Sequence, residues 1–498
     1  MKTTNAIAFD IGAGSGRVCV GSFDGDKIVV AEKHRFLNEP VKILNNLNWD
    51  ILRVFQELKS ALARLDRTIR YVSVGIDGWG ADYGLIDKRG RLVGNVYHYR
   101  DSRTDHIVEK LLKKMPPHDL FASTASDVKR HYTLCQLYSQ VIGDDPLLQA
   151  ADKLLLIPDL LTYIFTGSII AEVTIASTSQ LLSSSDDSWN VNLLALLGIR
   201  ETLFPPLVQP CTRIGPILPS YEVETGFNDL NFVAVSGHDT ASALASVSCS
   251  DRGSAFVSTG TTIVVGSETD GPFINDATFD YGFKNCRGNE GANLLIRNNT
   301  GFWILQQCKR LWEHQSSVSF SFLSKEARES KGRPSIFDPE SSEFENPDSM
   351  AESIRTFAVR THQAPPVTRA DYTRSIYASL ALQVRWCIEG LQIIIERTIE
   401  SLRLIGGGAN DNFFCELVSE GTGLPLYAGP AEATILGNLM VQLQATGDVS
   451  SLNEIREVVL RSTQMREYLP NNGTRDEWQE LYANFMYYKE TKRTCTKI

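Results

Sequence analysis

A chain of 498 residues exceeds the size at which one hydrophobic core stops growing, so two or three domains are expected. A net charge of −10, with 43% hydrophobic and 22% charged residues, leaves no basic excess for a phosphate backbone and argues against nucleic acid as a general partner, though not against a single ATP. There is no N-terminal charged segment leading into an apolar one and no apolar run near the roughly 20 residues that span a bilayer. The longest run, Leu154 to Phe165, is broken by Pro158 and Asp159, and the nine cysteines are scattered without a Cys-x-x-Cys pair. The expectation is reduced thiols in a cytoplasm, with no zinc site, disulfide framework or membrane partner.

In chain order, the first readable unit is an apolar strand from Ala6 to Phe9, a tight turn Asp-Ile-Gly-Ala-Gly-Ser-Gly-Arg from Asp10 to Arg17, and a second strand beginning at Val18. Phe23 to Asp26 reads as a hairpin turn into Ile28–Ala31. A helix is expected from Asp50 to Ala63, with Ile51, Val54, Phe55, Leu58 and Leu62 on one face. Tyr71 to Ile76 is an apolar strand running into Asp-Gly-Trp-Gly-Ala-Asp, Asp77 to Asp82, and another hairpin turns at Asp87 to Gly90. A strand at Asn231 to Val235 runs into Ser-Gly-His-Asp-Thr-Ala-Ser, Ser236 to Ser242, and then a helix. This puts His238 and Asp239 at a strand's carboxyl end, where ligands sit in open α/β sheets.

Half a chain length after Asp10, the opening pattern recurs. Ala255-Phe-Val, Ser-Thr-Gly-Thr-Thr from Ser258 to Thr262, and Ile263-Val-Val again read as strand, turn, strand. Turns with bare amides and hydroxyls bind phosphate oxygens without needing a lysine, so a duplicated pair suits a polyphosphate such as that of ATP held between two lobes. Further on, Asn298 to Leu311 reads as a strand end and a helix, and 316–366 as a polar surface subdomain or lid. Tyr377 to Leu402 reads as a long helix, followed by a strand at Leu402 to Ile405 and then Gly-Gly-Gly-Ala-Asn, Gly406 to Asn410. Consecutive glycines there let a flat ligand approach the backbone closely. The charged tail from Ser450 is expected to be helical.

Several side chains suit chemistry, each with a plainer alternative. Asp239 is placed to accept the proton of a hydroxyl attacking a phosphoryl group, or simply to cap a helix. Asp10 suits Mg²⁺ through its water shell, or an Asx turn. Arg17 suits a phosphate or the surface, His238 a sugar hydroxyl or the core, and Trp79 a sugar face or the core. Asn298 and Gln306 suit a ligand or ordinary capping. The glycine turn is neither a Rossmann nor a Walker A loop, because it leads into a strand and lacks Gly-Lys-Ser/Thr.

Taken together, the Asp10–Arg17 turn, the Ile76–Asp82 loop, Tyr-Arg-Asp-Ser-Arg-Thr at Tyr99–Thr104, Ser236–Ser242, Ser258–Thr261, the glycine loop and Ala428–Asn438 resemble, in order, the FGGY carbohydrate kinases, and most closely their rhamnulokinase branch. The resemblance spans about Ala6 to Tyr468. It implies an α/β, actin-like fold of two ribonuclease-H-like domains, 1–245 for sugar and phosphate and 246–498 for nucleotide, with a lid-like insertion around 316–366. It implies Asp239 as general base, and ATP contacts at Ala13, Gly14, Ser15, Gly16, Arg17, Thr261, Gln306, Gly407 and Gly408. Sugar contacts fall at Gly80, His238, Asp239, Thr240 and Asn298, and Mg²⁺ falls near Asp10. The implied reaction is ATP-dependent phosphorylation of a ketose, led by L-rhamnulose to its 1-phosphate and followed by L-fuculose or L-xylulose, in a cytoplasmic monomer or homodimer. A non-kinase actin-like ATPase and a sugar-binding pseudokinase are the alternatives.

The chain departs from that branch at four places. Gly78 stands where Thr is usual, His131-Tyr132 where Phe-Asn is, Asn285-Cys-Arg-Gly288 where Asn-Glu-Gly-Gly is, and Asp411 where Asn is. The first two lie in segments expected to reach the sugar, which bears on the choice of ketose.

Overall fold

The computed structural model describes residues 3–247, 253–313 and 318–495. The first two residues of the expected lid, 316–317, lie outside the described residues. The chain divides into two compact units. The first holds Met1–Ser248, Thr269–Leu295 and Ala433–Thr463, and the second holds Cys249–Glu268, Ile296–Glu432 and Gln464–Ile498.

The sheet of the first unit is built from β1 (Thr4–Ile11), β2 (Ser15–Phe23), β3 (Ile28–Leu37), β4 (Tyr71–Gly78), β5 (Thr212–Pro216) and β6 (Asn231–Ala234), in the order β5-β6-β4-β1-β2-β3. β1 runs antiparallel to β2 and parallel to β4, which is parallel to β6. The sheet of the second unit contains β7 (Ser254–Thr259), β8 (Thr262–Thr269), β9 (Asn293–Thr300), β10 (Ser401–Gly406), β11 (Leu426–Ala428) and β12 (Arg466–Tyr468), in the order β12-β11-β10-β7-β8-β9. β7 is antiparallel to β8 and parallel to β10, which is parallel to β11. The two orders correspond strand for strand. The repeat seen in the sequence is thus a repeat of topology, a hairpin whose first strand is central and has a parallel neighbour. This is the duplicated actin-like, ribonuclease-H-like α/β fold.

Period-two alternation sets what each face of β1 meets. Ile7, Phe9 and Ile11 enter a core with Val54, Leu58 and Leu62 of the helix Ile51–Ala63. Ala6 and Ala8 enter another with Ile435, Leu439 and Met440 of the helix Ala433–Thr446. Both faces are covered, which is why β1 reads as a continuous apolar run. A third core, including Leu134, Leu137, Leu156 and Leu197, fills the segment inserted between β4 and β5. Asp50 caps the first of these helices, accepting from Arg53 N.

In the second unit the long helix runs Arg369–Ile395, one turn or more earlier than the periodicity predicts. Its start is fixed by a capping box between Thr368 and Asp371, and its end by Glu396 at φ 53°. It is long and apolar enough to cross a membrane by composition, contrary to the sequence reading that no such run exists. Most of its residues are buried against the protein, as in a core helix. The polar stretch after 317 forms the helices Phe320–Glu329 and Met350–Arg360. It is tied to the long helix by Ser335 N and Phe337 N, which donate to Ser375 Oγ at 3.0 Å and Ser379 Oγ at 3.2 Å.

Candidate active site

In the first unit, register puts two carboxylates side by side. Asp10 neighbours Asp77 across the parallel β1–β4 pair and Arg17 across the β1–β2 hairpin. Arg17 donates to Asp10 Oδ2 through Nε at 3.1 Å and Nη2 at 2.5 Å. The guanidinium is therefore committed to Asp10 rather than being a surface cation. Asp77 is fully buried. Its Oδ2 accepts from Asn438 Nδ2 at 2.5 Å, and among the described residues no hydrogen-bond partner reaches its Oδ1. Burial raises the pKa of Asp10 against the pull of Arg17. Burial, and then the neighbouring charge of Asp10, raises that of Asp77 well above the carboxylate range. In the sequence Asp77 reads only as the start of the Asp77–Asp82 loop, without a site role; the signal available was an acidic residue at the end of an apolar strand, as at Asp10.

Asp239 opens the helix Asp239–Ala245. His238 takes the capping position, so the plain capping role does not fall to Asp239. Its Oδ1 accepts from Thr240 N at 2.6 Å and from Thr240 Oγ1 at 3.1 Å. The side chain keeps 39% of its surface open. The surrounding protein nevertheless raises its pKa, with the Thr240 hydrogen bonds opposing. His238 is pushed down to about 3 by burial and then by the charge of Lys284, so it is neutral near pH 7.

A short turn gathers the remaining loops. Thr174 Oγ1 accepts from His238 N at 3.3 Å, Ser177 Oγ from Arg287 N at 3.0 Å, and Thr178 Oγ1 from Ala81 N at 3.2 Å. Three hydroxyls within one helical turn thereby bring together the Gly80 loop, the His238 loop and the strand Lys284–Arg287. Gly80 leaves no room for a side chain, since a Cβ there would lie 2.5 Å from Thr178 Oγ1.

Behind Gly80, Asp82 is a buried hub. It accepts from Trp49 Nε1 at 2.6 Å, Trp79 Nε1 at 3.0 Å, Tyr99 N at 3.2 Å and Gln136 Nε2 at 2.8 Å, and burial raises its pKa to about 6. Trp79 packs against Trp49 with ring centroids 4.4 Å apart and is 6% exposed, so it belongs to the core. From Trp49 the rings continue through His98, Tyr99 and His131 to Tyr132.

The phosphate turn is closed by Gly12 N donating to Ser15 O at 3.0 Å and by Asn38, whose Nδ2 donates to Gly12 O at 2.9 Å. Gly16 packs under the Phe36 ring, where a Cβ would clash at 2.2 Å, while Gly14 faces open space. Ala13, Ser15 and Arg17 complete this turn. In the second unit, Thr261 Oγ1 meets the Gln306 amide, with Nε2 at 3.2 Å. Gly408 N donates to Thr259 Oγ1 at 3.0 Å. Gly406 needs its φ of 81°, because it passes 2.5 Å from Thr259 O at the Cβ position. Thr261, Gln306, Gly407 and Gly408 therefore surround the β7–β8 turn. Asn298 lies exposed on β9, in the second unit, whereas Gly80, His238, Asp239 and Thr240 lie in the first.

Among the described residues no three His, Cys, Asp or Glu side chains form a self-sufficient metal cluster. Magnesium does not need one. It takes one or two carboxylates, with the remaining positions held by water and substrate phosphates. Asp10 and Asp77, all-oxygen donors with one buried Asp77 oxygen unpartnered among the described residues, fit that ion.

Two repeated ribonuclease-H-like sheets, each with a small-residue strand-turn-strand hairpin, define the actin-like fold class. The family model for the N-terminal domain of the FGGY family of carbohydrate kinases matches residues 5–246, and that for the C-terminal domain matches 255–446. The chain belongs to the FGGY family of carbohydrate kinases, and is thus an ATP-dependent sugar phosphotransferase. It is 34% identical over 482 residues to a rhamnulokinase of Bacteroides thetaiotaomicron, covering 97% of this chain and 98% of that one. It is 32% identical over 467 residues to a rhamnulokinase of Bacillus subtilis, covering 93% and 95%. Its fold is that of the gluconate kinase of Lactobacillus acidophilus, at TM-score 0.80 and 15% identity over 99% of this chain and 98% of that one. It also matches Plasmodium falciparum glycerol kinase, at TM-score 0.78 and 14% identity over 99% and 98%.

Proposed function

We propose that this chain transfers the γ-phosphoryl group of ATP to a primary hydroxyl of a ketose, with Asp239 as general base. The observation that carries the reading is an accessible carboxylate with a raised pKa, at a strand's carboxyl end, in the same unit as the Asp10–Asp77–Arg17 cluster. Asp239 takes the hydroxyl proton as the oxygen forms its bond to phosphorus. The bond from phosphorus to the bridging β-γ oxygen breaks, and ADP leaves with the electron pair. The Ala13–Arg17 turn holds phosphate oxygens by its amides, and Thr261, Gln306, Gly407 and Gly408 hold the nucleotide. Mg²⁺, when bound beside Asp10 and Asp77, neutralises phosphate charge. In this reading 1–245 supply the sugar and phosphate domain and 246–498 the nucleotide domain with a lid around 316–366, except that 269–295 and 433–463 belong to the first compact unit. Seven described cysteines are free thiols, which suits a cytoplasmic enzyme, monomeric or homodimeric, acting on small molecules.

Kinship makes L-rhamnulose the leading acceptor, giving L-rhamnulose 1-phosphate, with L-fuculose and L-xylulose next. ADP release from Mg-ATP is expected to rise strongly with one ketose of a panel containing all three. No stimulation by any sugar would overturn the kinase reading. A second expectation concerns pH. The base must be ionised, so kcat/KM falls as pH drops through the raised pKa of Asp239, with a midpoint above the ordinary 3.8. His238, neutral down to about pH 3, contributes no break in that range. An acid limb that disappears when His238 is replaced by Asn would contradict the assignment.

A further inference from the structure

Lys284 is 5% exposed, yet among the described residues its ammonium has no hydrogen bond and no ion pair with a carboxylate. Lysine is almost never buried unless paired, because desolvating an ammonium without an anion is costly. Its one close partner is the face of Tyr132, 4.5 Å from Nζ. The nearby carboxylate of Asp127 is engaged elsewhere, accepting from Tyr132 Oη at 3.0 Å and pairing with Lys129 at 3.3 Å. Lys284 opens the strand that the Thr174–Thr178 turn joins to Gly80 and His238, so it belongs to the wall of the candidate sugar site. Two more polar atoms of that neighbourhood are buried and, among the described residues, unpartnered: His238 Nδ1, and Oε1 of Gln180, whose Nε2 donates to the backbone carbonyls of Ser126 and Asp127. The positive charge of Lys284 is felt by His131 and His238.

We infer that Lys284 is the anchor for a carboxylate on the acceptor, so that the preferred substrate is a ketose bearing an acid group at the end remote from the phosphorylated hydroxyl. The inference rests on the kinase reading, and replaces the neutral ketoses that kinship favours by an acidic one. A single ammonium on an aromatic face suits a carboxylate, whereas a phosphate is commonly met by an arginine fork or several amides. A site with a buried charge discriminates strongly against an analogue that leaves the charge unmatched.

The test uses matched pairs differing only at C6: D-fructuronate against D-fructose and D-tagaturonate against D-tagatose, with L-rhamnulose and D-fructose 6-phosphate as further arms. The wild-type enzyme is expected to favour one acid over its neutral partner by at least about 100-fold in kcat/KM. Lys284→Met is expected to bring that ratio to within about threefold, with Lys284→Gln as the second variant should Met compromise folding. A neutral ketose used as well as or better than its acid, or a preference for the sugar phosphate, overturns this inference while leaving the kinase reading intact. Should no sugar be turned over, calorimetry without ATP decides. Binding of a hexuluronate that Lys284→Met abolishes supports the anchor, and no binding of either acid to the wild-type chain overturns it.

Discussion

Replacing Asp239 by Asn is expected to lower kcat by about 10³-fold or more while leaving the fold and ATP affinity in place, since general bases contribute roughly 10²–10⁴-fold. The substitution keeps shape and keeps an acceptor oxygen. Thr240 N at 2.6 Å and Thr240 Oγ1 at 3.1 Å still find a partner, and the helix Asp239–Ala245 keeps its first turn. What disappears is the capacity to take a proton. The Asp10–Arg17 pair and the Gly12–Ser15 turn contain no atom of Asp239, so nucleotide binding measured by calorimetry should change by less than about threefold, as for an interaction made only in the transition state. A variant retaining kcat within tenfold of the wild type would show that another group takes the proton.

The features legible in the sequence are those with a local signature. The strand-turn-strand repeat was visible because each central strand is covered on both faces and each turn is built from residues with little side chain. The helix from Ile51 was visible because its apolar face recurs every three to four residues and Asp50 stands at its start. Features made by contacts distant in sequence were not visible. Asp82 draws donors from Trp49, Tyr99 and Gln136, and nothing around Asp82 itself announces them. Asn438 appears only as a motif residue until the helix Ala433–Thr446 brings it to Asp77. Lys284 carries no local signature in the sequence, and becomes significant once it is found buried against Tyr132 with no ion partner among the described residues. The Arg369–Ile395 helix was placed too late because its capping box lies in a polar stretch that the apolar stripe does not reach.

Gly437→Ala tests whether the positions of Asp77 and Asp239 depend on the packing of two helices. In an unconstrained helix this change would stabilise by about 1 kcal/mol, because glycine is the weaker helix former. Here the helix Ala433–Thr446 crosses the helix Asp239–Ala245 backbone to backbone. A Cβ on Gly437 would sit 1.7 Å from Ser242 O and 2.7 Å from its carbonyl carbon. The crossing is also stitched by hydroxyls, with Ser242 Oγ donating to Thr434 O at 3.1 Å and Ser246 Oγ to Ala433 O at 3.0 Å. A rigid backbone carbonyl cannot rotate away as a side chain can, so the helices must part by more than an ångström. Overpacking of this kind costs about 3 kcal/mol, which outweighs the propensity gain and leaves a net loss of about 2 kcal/mol. Gly271→Ala, where a Cβ meets nothing within 4 Å, is the control and should stay within about 0.5 kcal/mol. Activity should fall as well. One of the parted helices carries Asn438, the donor to Asp77, and the other begins with Asp239, and an ångström of misplacement can cost on the order of 10²-fold in rate. Urea midpoints and kcat on the same preparations separate the outcomes. A lower midpoint with lower kcat is the expected pair, a higher midpoint would show that the crossing yields to a methyl group, and a lower midpoint with unchanged kcat would show that the carboxylates hold their places independently of it.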